Sequence, residues 1–402
     1  MNASLDKNAL YLMHLLSCAL SGDKPMELPM GAAWDAVYKL AAQNSVTPTC
    51  AFAVQQTSSA NTAERQRWQH EVDQNLLRHA LFDLERESVF KAMDTAGLAH
   101  LPLKGVAVSR EYPRPEMRWM CDNDILFGRS NTDGTVSEAD RNDALELRRI
   151  MNSLGFKTAH FGIGHHDSYE KAPCINMEMH HELVNPDVKW RDYYDVPWSR
   201  AKKDPKTTGL GYAFSREDAY IFCVAHMYKH FSTAGHGIRG LADEFVLLRA
   251  WGATMDRDYL AAELAKLGMA QFEDDLTRTA EAVIGQDACG RVLSGDAAAL
   301  GSEDTQMLVY MLGSGTYGNV ANRVHNGLSQ EAAARGKRGS KARYLLHRMF
   351  PPREKLLAGY PILARAPWLQ PGVYAFRLIV KPFTSGKKLR SELAVLTNKD
   401  GE

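Results

Sequence analysis

Three acidic side chains in two short apolar runs are the residues of this sequence best suited to chemistry. Cys121-Asp122-Asn123-Asp124-Ile125-Leu126-Phe127 sets Asp-x-Asp at the entrance to an aliphatic run, and Ile175-Asn176-Met177-Glu178-Met179-His180 supplies a third acid. Strand side chains alternate faces, so Asp122 and Asp124 point one way while Ile125 and Phe127 point the other. Two carboxylates about 7 Å apart along a strand can share hard, oxygen-seeking cations such as magnesium. By the same alternation Met177 and Met179 flank Glu178 on the opposite face, and Glu178 and His180 project together. Upstream, Leu103-Lys104-Gly105 ends another apolar run. The glycine lets backbone approach a phosphate, the helix start beyond it offers unpaired N–H groups, and Lys104 adds a point charge. Arg118 has the guanidinium geometry that grips a β- or γ-phosphate. Such a set serves transfer from a nucleoside triphosphate: two cations held by three acids stabilise the entering and leaving oxygens. Asp122 and Asp124 are the expected metal ligands, with Glu178 as third ligand or as general base toward an acceptor hydroxyl.

These residues need a sheet, and the pattern supplies one. Residues 1–97 read as helical, the longest helix running from Ala63 to a stop at Gly97, after shorter ones around Leu10–Leu20 and Trp34–Ala42. His100–Leu103 reads as an edge strand that tolerates Pro102, and Lys104-Gly105 as a turn into a short helix over 106–110. Asp122–Phe127 is a strand, Asn131–Gly134 a loop, and Ser137–Leu154 a helix with Ser137 as a weak cap and Gly155 as its stop. Phe156–Phe161, Ser168–Ala172 and Ile175–Leu183 read as strands joined by Gly162-Ile163-Gly164 and Pro173. Helices return at Asp218–Phe231, Leu241–Trp251, Arg257–Leu267 and Gln271–Ile284, and residues 301–402 alternate helical stretches with turns at Pro351-Pro352 and Pro371-Gly372. This order makes an α+β protein. The division expected is 1–97, 98–190, 191–300 and 301–402.

Composition narrows the class. At 402 residues, with 45% apolar and 24% charged residues, the chain has the make-up of an ordinary soluble globular protein. Lys plus Arg equals Asp plus Glu at 48 each, so overall charge implies no obligate nucleic-acid partner. The six cysteines show no Cys-x-x-Cys, which suits reduced thiols in a cytosol. No signal-peptide pattern and no spanning apolar stretch is present, so a cytoplasmic location is expected. His226 and His230 stand one helical turn apart. No Glu follows His226 in the metalloprotease pattern and no third soft ligand is in register, so they are expected to face the cleft with Arg239 and Asp243 rather than to hold zinc. Arg335 to Lys355 forms a basic run opposed by Glu354 alone, read first as a solvated face. Trp368, Tyr374 and Phe376 read as packing residues.

The ordered set Leu103-Lys104-Gly105, Tyr112-Pro113, Arg118, Asp122-x-Asp124 and Glu178-x-His180 resembles the uncharacterised nucleotidyltransferases of the DNA polymerase beta superfamily. The likeness extends to His226, Lys229-His230, Gly237-x-Arg239 and Asp243, although 101–182 carries the specific motifs. The wider superfamily usually has Gly-Ser where this chain has Lys104-Gly105. The resemblance implies a small mixed-sheet, polymerase-beta-like core flanked by helical N- and C-terminal regions. Glu182 shares the face of Glu178, and the acid-x-His order of the family favours Glu178. The implied activity is transfer of a nucleoside monophosphate, AMP first among the candidates, from ATP or another triphosphate with two Mg2+ or Mn2+ ions and release of pyrophosphate. The acceptor would carry a hydroxyl, on a small molecule, a peptide or protein, or an RNA end. The rival expectation is a catalytically silent nucleotide-binding or regulatory module of the same fold.

Overall fold

The computed structural model describes residues 5–186, 188–333, 340–357, 359–360 and 362–397. Of the basic run, Arg335, Lys337 and Arg338 lie outside them. Four helices open the chain: α1 (Lys7–Ser21), α2 (Trp34–Gln43), α3 (Thr47–Val54) and α4 (Thr62–Thr95). The Asn61 side chain caps α4 by accepting from the Glu64 N–H. The sequence pattern does not separate α3, a short, mostly buried stretch without a polar face, which periodicity alone cannot assign.

The central sheet follows. It contains β1 (Leu98–Pro102), β2 (Asn123–Ser130), β3 (Val136–Glu138), β4 (Lys157–His160), β5 (His166–Lys171) and β6 (Ile175–His180), in the order β1-β2-β6-β5-β4 with β3 paired to β2. The short helix α5 (Lys104–Ser109) lies between β1 and β2. β2 and β6 are parallel neighbours, and their register sets Asp124 directly beside Glu178. The expected helix from Ser137 is corrected: Ser137 belongs to β3, and α6 runs from Arg141 to Ser153. The reason is a stronger cap, because Asp140 accepts from the Asn142 and Asp143 N–H groups and Asp143 reaches back to the Asp140 N–H.

One sheet face is largely apolar. Ile125, Phe127, Met177 and Met179 pack there against Phe82, Val89 and Met93 of α4 and Leu147 and Met151 of α6. This is the alternation expected of strands buried on that side. The other face turns Asp124, Glu178 and His180 toward the helices that come later. After the two-stranded ribbon of β7 (Ala201–Lys203) and β8 (Tyr212–Phe214), the chain forms α7 (Arg216–Phe231), α8 (Arg239–Trp251), α9 (Arg257–Leu267) and α10 (Ala270–Ala280), the last ending in a wider turn at Glu281–Gly285. Helices α1 and α3 share one core with α7, α8 and α10. The sheet is therefore clasped by helices that precede and follow it in the sequence.

That core holds an acid that should titrate. Tyr220 Oη lies 2.5 Å from Glu244 Oε1 and 2.6 Å from Glu273 Oε1, and Thr277 Oγ1 donates to Glu244 at 3.0 Å. A phenol has one proton and can donate to only one of the two carboxyls, so the second contact is favourable when a carboxyl carries the other proton. Burial, with the nearby Glu273 charge adding, pushes the Glu244 carboxyl up to about 7 against the Tyr220 hydrogen bond. A raised folded-state pKa stabilises below the unfolded value and is lost as pH rises through the folded one. Stability is thus expected to fall between about pH 4.5 and 7, by up to roughly 3 kcal/mol. Glu244→Gln should flatten that segment of a denaturant-stability profile, and an unchanged slope would sink the assignment.

The remaining described α-helices are α11 (Ala288–Leu293), α12 (Ser302–Ser314), α13 (Val320–Ala333), α14 (Lys341–Met349), α15 (Arg353–Leu357), α16 (Ile362–Arg365) and α17 (Gln370–Thr397). Pro371-Gly372 is not a turn but the first turn of α17, where proline is tolerated because its missing N–H has no helical partner. No described helix is long and apolar enough to cross a membrane.

Candidate active site

The polar sheet face, α5, α7 and α8 enclose a cavity of about 440 Å3. Its floor is the triad of acids. Asp122 precedes β2, Asp124 is its second residue and Glu178 stands in register on β6. The segment leading to Asp122 is held from behind by the first helices. Thr49 Oγ1 donates to the Met117 carbonyl at 2.6 Å, and Asn75 Nδ2 donates to the carbonyls of Glu116 and Arg118 at 2.7 and 2.9 Å.

Asp124 is nearly inaccessible and its Oδ1 accepts from two sides, from Lys104 Nζ at 2.8 Å and from His180 Nε2 at 2.9 Å. Burial alone would raise this carboxyl, but Lys104 and His180 override it and hold Asp124 well below the usual carboxylate range. Asp122 and Glu178 go the other way. Burial, then the Asp124 charge, lifts Asp122 to about 6. Burial, then Asp124 and Asp122, lifts Glu178 to about 8. Three acids with one lysine among them carry excess negative charge that a divalent cation would neutralise. Oxygen donors from carboxylates suit Mg2+ or Mn2+, and Asp124, Glu178 and His180 place ligand atoms within 4.8 Å of one another. The His180 Nδ1 is buried without a hydrogen-bond partner. The residues present fit such an ion.

Lys104 has a backbone φ of 36°, a left-handed conformation that costs a non-glycine residue energy and tends to occur at functional sites. The Leu103 N–H donates to the Asp124 carbonyl at 2.9 Å, which anchors this turn to β2. Gly105 borders the cavity, and a Cβ there would come within 3.1 Å of Arg118 Nη1 and 3.2 Å of Met120. Its smallness therefore serves packing against those two side chains.

Arg118 differs from the sequence expectation. Its Nε and Nη2 each lie 2.8 Å from the two oxygens of Asp243, a bidentate clamp from the β1–β2 connection to α8, and Tyr112 Oη donates to the same carboxylate at 2.7 Å. Both partners are buried. The Nε–Nη2 edge of the guanidinium is filled by that carboxylate, which leaves Nη1, 3.2 Å from Met120 Sδ, on the cavity side. The opposite wall supplies other nitrogens. His226 and His230 face each other at 3.2 Å between Nε2 atoms, and Lys229, His236 and Arg239 line the same space. Burial first, then neighbouring positive charge, depresses His226 far below the ordinary imidazole range and His230 to about 3, so both are neutral at pH 7.

Glu182 is separated from the acids. It accepts from Arg191 Nη2 at 3.2 Å and lines a smaller cavity with Glu138 and Tyr194. β6 ends at His180 and the chain bends away before position 182. Two further groups line the site: the loop 162–167, whose glycines and imidazoles read from the sequence as a hairpin turn at the mouth of the site, and a segment after α12 that the sequence did not mark. His165 and His166, beyond Gly164, turn into the site with ring centroids 5.2 and 5.0 Å from His180. Thr316 and Tyr317, after α12, close another side, where Tyr317 Oη lies 2.7 Å from Cys121 Sγ. The Gly-Ile-Gly-His-His run was a usable signal for the first group. Nothing local marked the second.

A sequence model of a protein family, described as uncharacterised nucleotidyltransferase, matches residues 31–285, more than half of the chain. No curated protein and no solved structure matches it.

Proposed function

The chain belongs to the uncharacterised nucleotidyltransferase family, and from that premise we propose that it is a metal-dependent enzyme of polymerase-beta type. It moves a nucleoside monophosphate, AMP first among the candidates, from a triphosphate to a hydroxyl-bearing acceptor. The observation that carries this reading is the in-register pair Asp124 and Glu178 on parallel strands, with Asp122 at the mouth of β2. Two divalent cations bound by these acids would polarise the α-phosphate and neutralise the departing pyrophosphate. Asp122 and Asp124 hold the triphosphate side of the site. Glu178, raised to about 8 by burial and the neighbouring acids, takes the acceptor hydroxyl proton in its ionised form as the oxygen attacks phosphorus and the bond to pyrophosphate breaks. Lys104, with Lys229 and Arg239 across the cavity, faces the phosphate charge. The neutral imidazoles of His226 and His230 orient nucleotide or acceptor by hydrogen bonding. A small molecule, a peptide or protein hydroxyl and an RNA end all remain chemically suitable acceptors.

The test is calorimetric and chemical. Purified protein is titrated with each triphosphate in Mg2+ or Mn2+ buffer, and label from an α-labelled triphosphate is followed into fractionated cell extract. Cation-dependent binding with label transfer and pyrophosphate release is expected. Cation-dependent binding without transfer to any fraction would favour the silent-module reading, and no binding at all would remove both.

A further inference from the structure

The C-terminal stretch has a composition unlike the rest of the chain. Between residues 340 and 397 eleven Lys or Arg face only two acids, Glu354 and Glu392. Glu392 is buried against the Arg348 guanidinium, with Nε and Nη2 at 3.0 and 2.5 Å, so it adds nothing to the surface charge. In a chain of zero formal net charge this concentrates positive charge at one end.

The same stretch exposes large apolar side chains: Trp368 at 77%, Ile379 at 66%, Ile362 at 57%, Leu346 at 55% and Phe376 at 53%. The sequence expectation that Trp368 and Phe376 pack inside is overturned. Phe376 and Ile379 are three residues apart and share one face of α17. Ile362 on α16 and Trp368 in the turn after it lead into that helix, with exposed Arg365 between them. The inner side is fixed elsewhere. Tyr374 Oη donates to the Pro351 carbonyl at 2.8 Å, and Val324, Tyr344 and Leu396 form a small core of their own. Trp368, Ile379, Ile362 and Phe376 are thus left outward on elements anchored from behind.

We propose that this face docks on an anionic phospholipid bilayer surface. Trp368, Ile362, Phe376 and Ile379 would enter the headgroup boundary, while Arg365, Lys341 and Arg390 meet lipid phosphates. Interfacial helices bind by this combination of aromatic and aliphatic insertion with basic attraction, and bind too weakly with either alone. The absence of a spanning helix among the described residues fits a segment that lies on the surface. RNA would also answer the charge, but Ile362, Leu346 and Ile379 gain nothing from base stacking, which uses flat aromatic or guanidinium groups. This inference is independent of the nucleotidyl-transfer reading.

Full-length protein is sedimented with vesicles of equal parts phosphatidylcholine and phosphatidylglycerol, and with vesicles of phosphatidylcholine alone. Binding to the anionic vesicles only, weakening as salt rises, is expected. Trp368→Ser with Ile379→Ser should weaken it by roughly tenfold or more, and Arg365→Glu by at least about fivefold, with circular dichroism unchanged because these side chains are exposed. Failure to bind anionic vesicles, full affinity in the double Ser variant, or RNA binding without vesicle binding would each overturn the proposal. So would self-association that the double variant abolishes while vesicles are ignored.

Discussion

Asp122→Asn is expected to lower nucleotidyl transfer by about three decades and yet leave the fold as stable as before, or slightly more so, in metal-free buffer. The loss follows from the several kcal/mol that a bound cation contributes to the transition state, at about 1.4 kcal/mol per decade. The stability follows from the carboxylate's own position. Asp122 is crowded first by burial and then by Asp124, which raise it to about 6. An acid with a raised folded-state pKa contributes stability that is present below its unfolded value and lost as pH rises through the folded one. At pH 7 its charge therefore weighs against folding, and the neutral amide removes that weight. Thermal melts in chelator, beside label-transfer rates in Mg2+, separate the two effects. A transfer rate within tenfold of wild type would remove Asp122 from the metal site. Asp124 makes a poorer probe: it is buried between Lys104 and His180, so its replacement disturbs packing as well as cation binding.

Arg118→Met is expected to cost about 3–5 kcal/mol of folding stability, the usual consequence of leaving one member of a buried ion pair alone. Asp243 would remain in the interior with only Tyr112 as donor. Its carboxyl, which burial would raise but Arg118 holds below the ordinary range, would then be driven to take up a proton. Its contribution in the wild type is present above the unfolded pKa and lost as pH falls, so the wild-type advantage over the variant should shrink in acid. The double change Arg118→Met with Asp243→Leu should recover most of the loss, because two apolar side chains leave no orphaned charge. Denaturant melts across pH give the answer. If Arg118→Met kept full stability but lost triphosphate affinity, Arg118 would return to the phosphate-binding role that its spacing suggested.

Local sequence was sufficient where a single strand or helix decides the outcome. The alternation in 122–127 and 175–180 fixes which side chains face together, because a strand has a period of two and the apolar partners must be buried. The fold class, α7 and the pairing of His226 with His230 were legible for the same local reason. Element ends were less so. Ser137 was displaced as a cap by Asp140 because a capping box satisfies two orphan N–H groups at once.

What lay beyond reach was the specific pairing of most partners across the fold. Asp124 meets Glu178 only because β2 and β6 pair in parallel in one register. Arg118 is taken by Asp243, Glu182 is turned away, and Tyr317 is brought to Cys121 by segments far apart in the chain. A residue's type fixes what it can bind, and the motif fixes its neighbours along the strand. Which charge it meets is settled when burial forces each buried polar group to find a partner somewhere in the assembled core. The acids and their face belong to the sequence. The clamp, the cavity and its far wall belong to the tertiary structure, because they depend on packing between elements whose contacts no local pattern encodes.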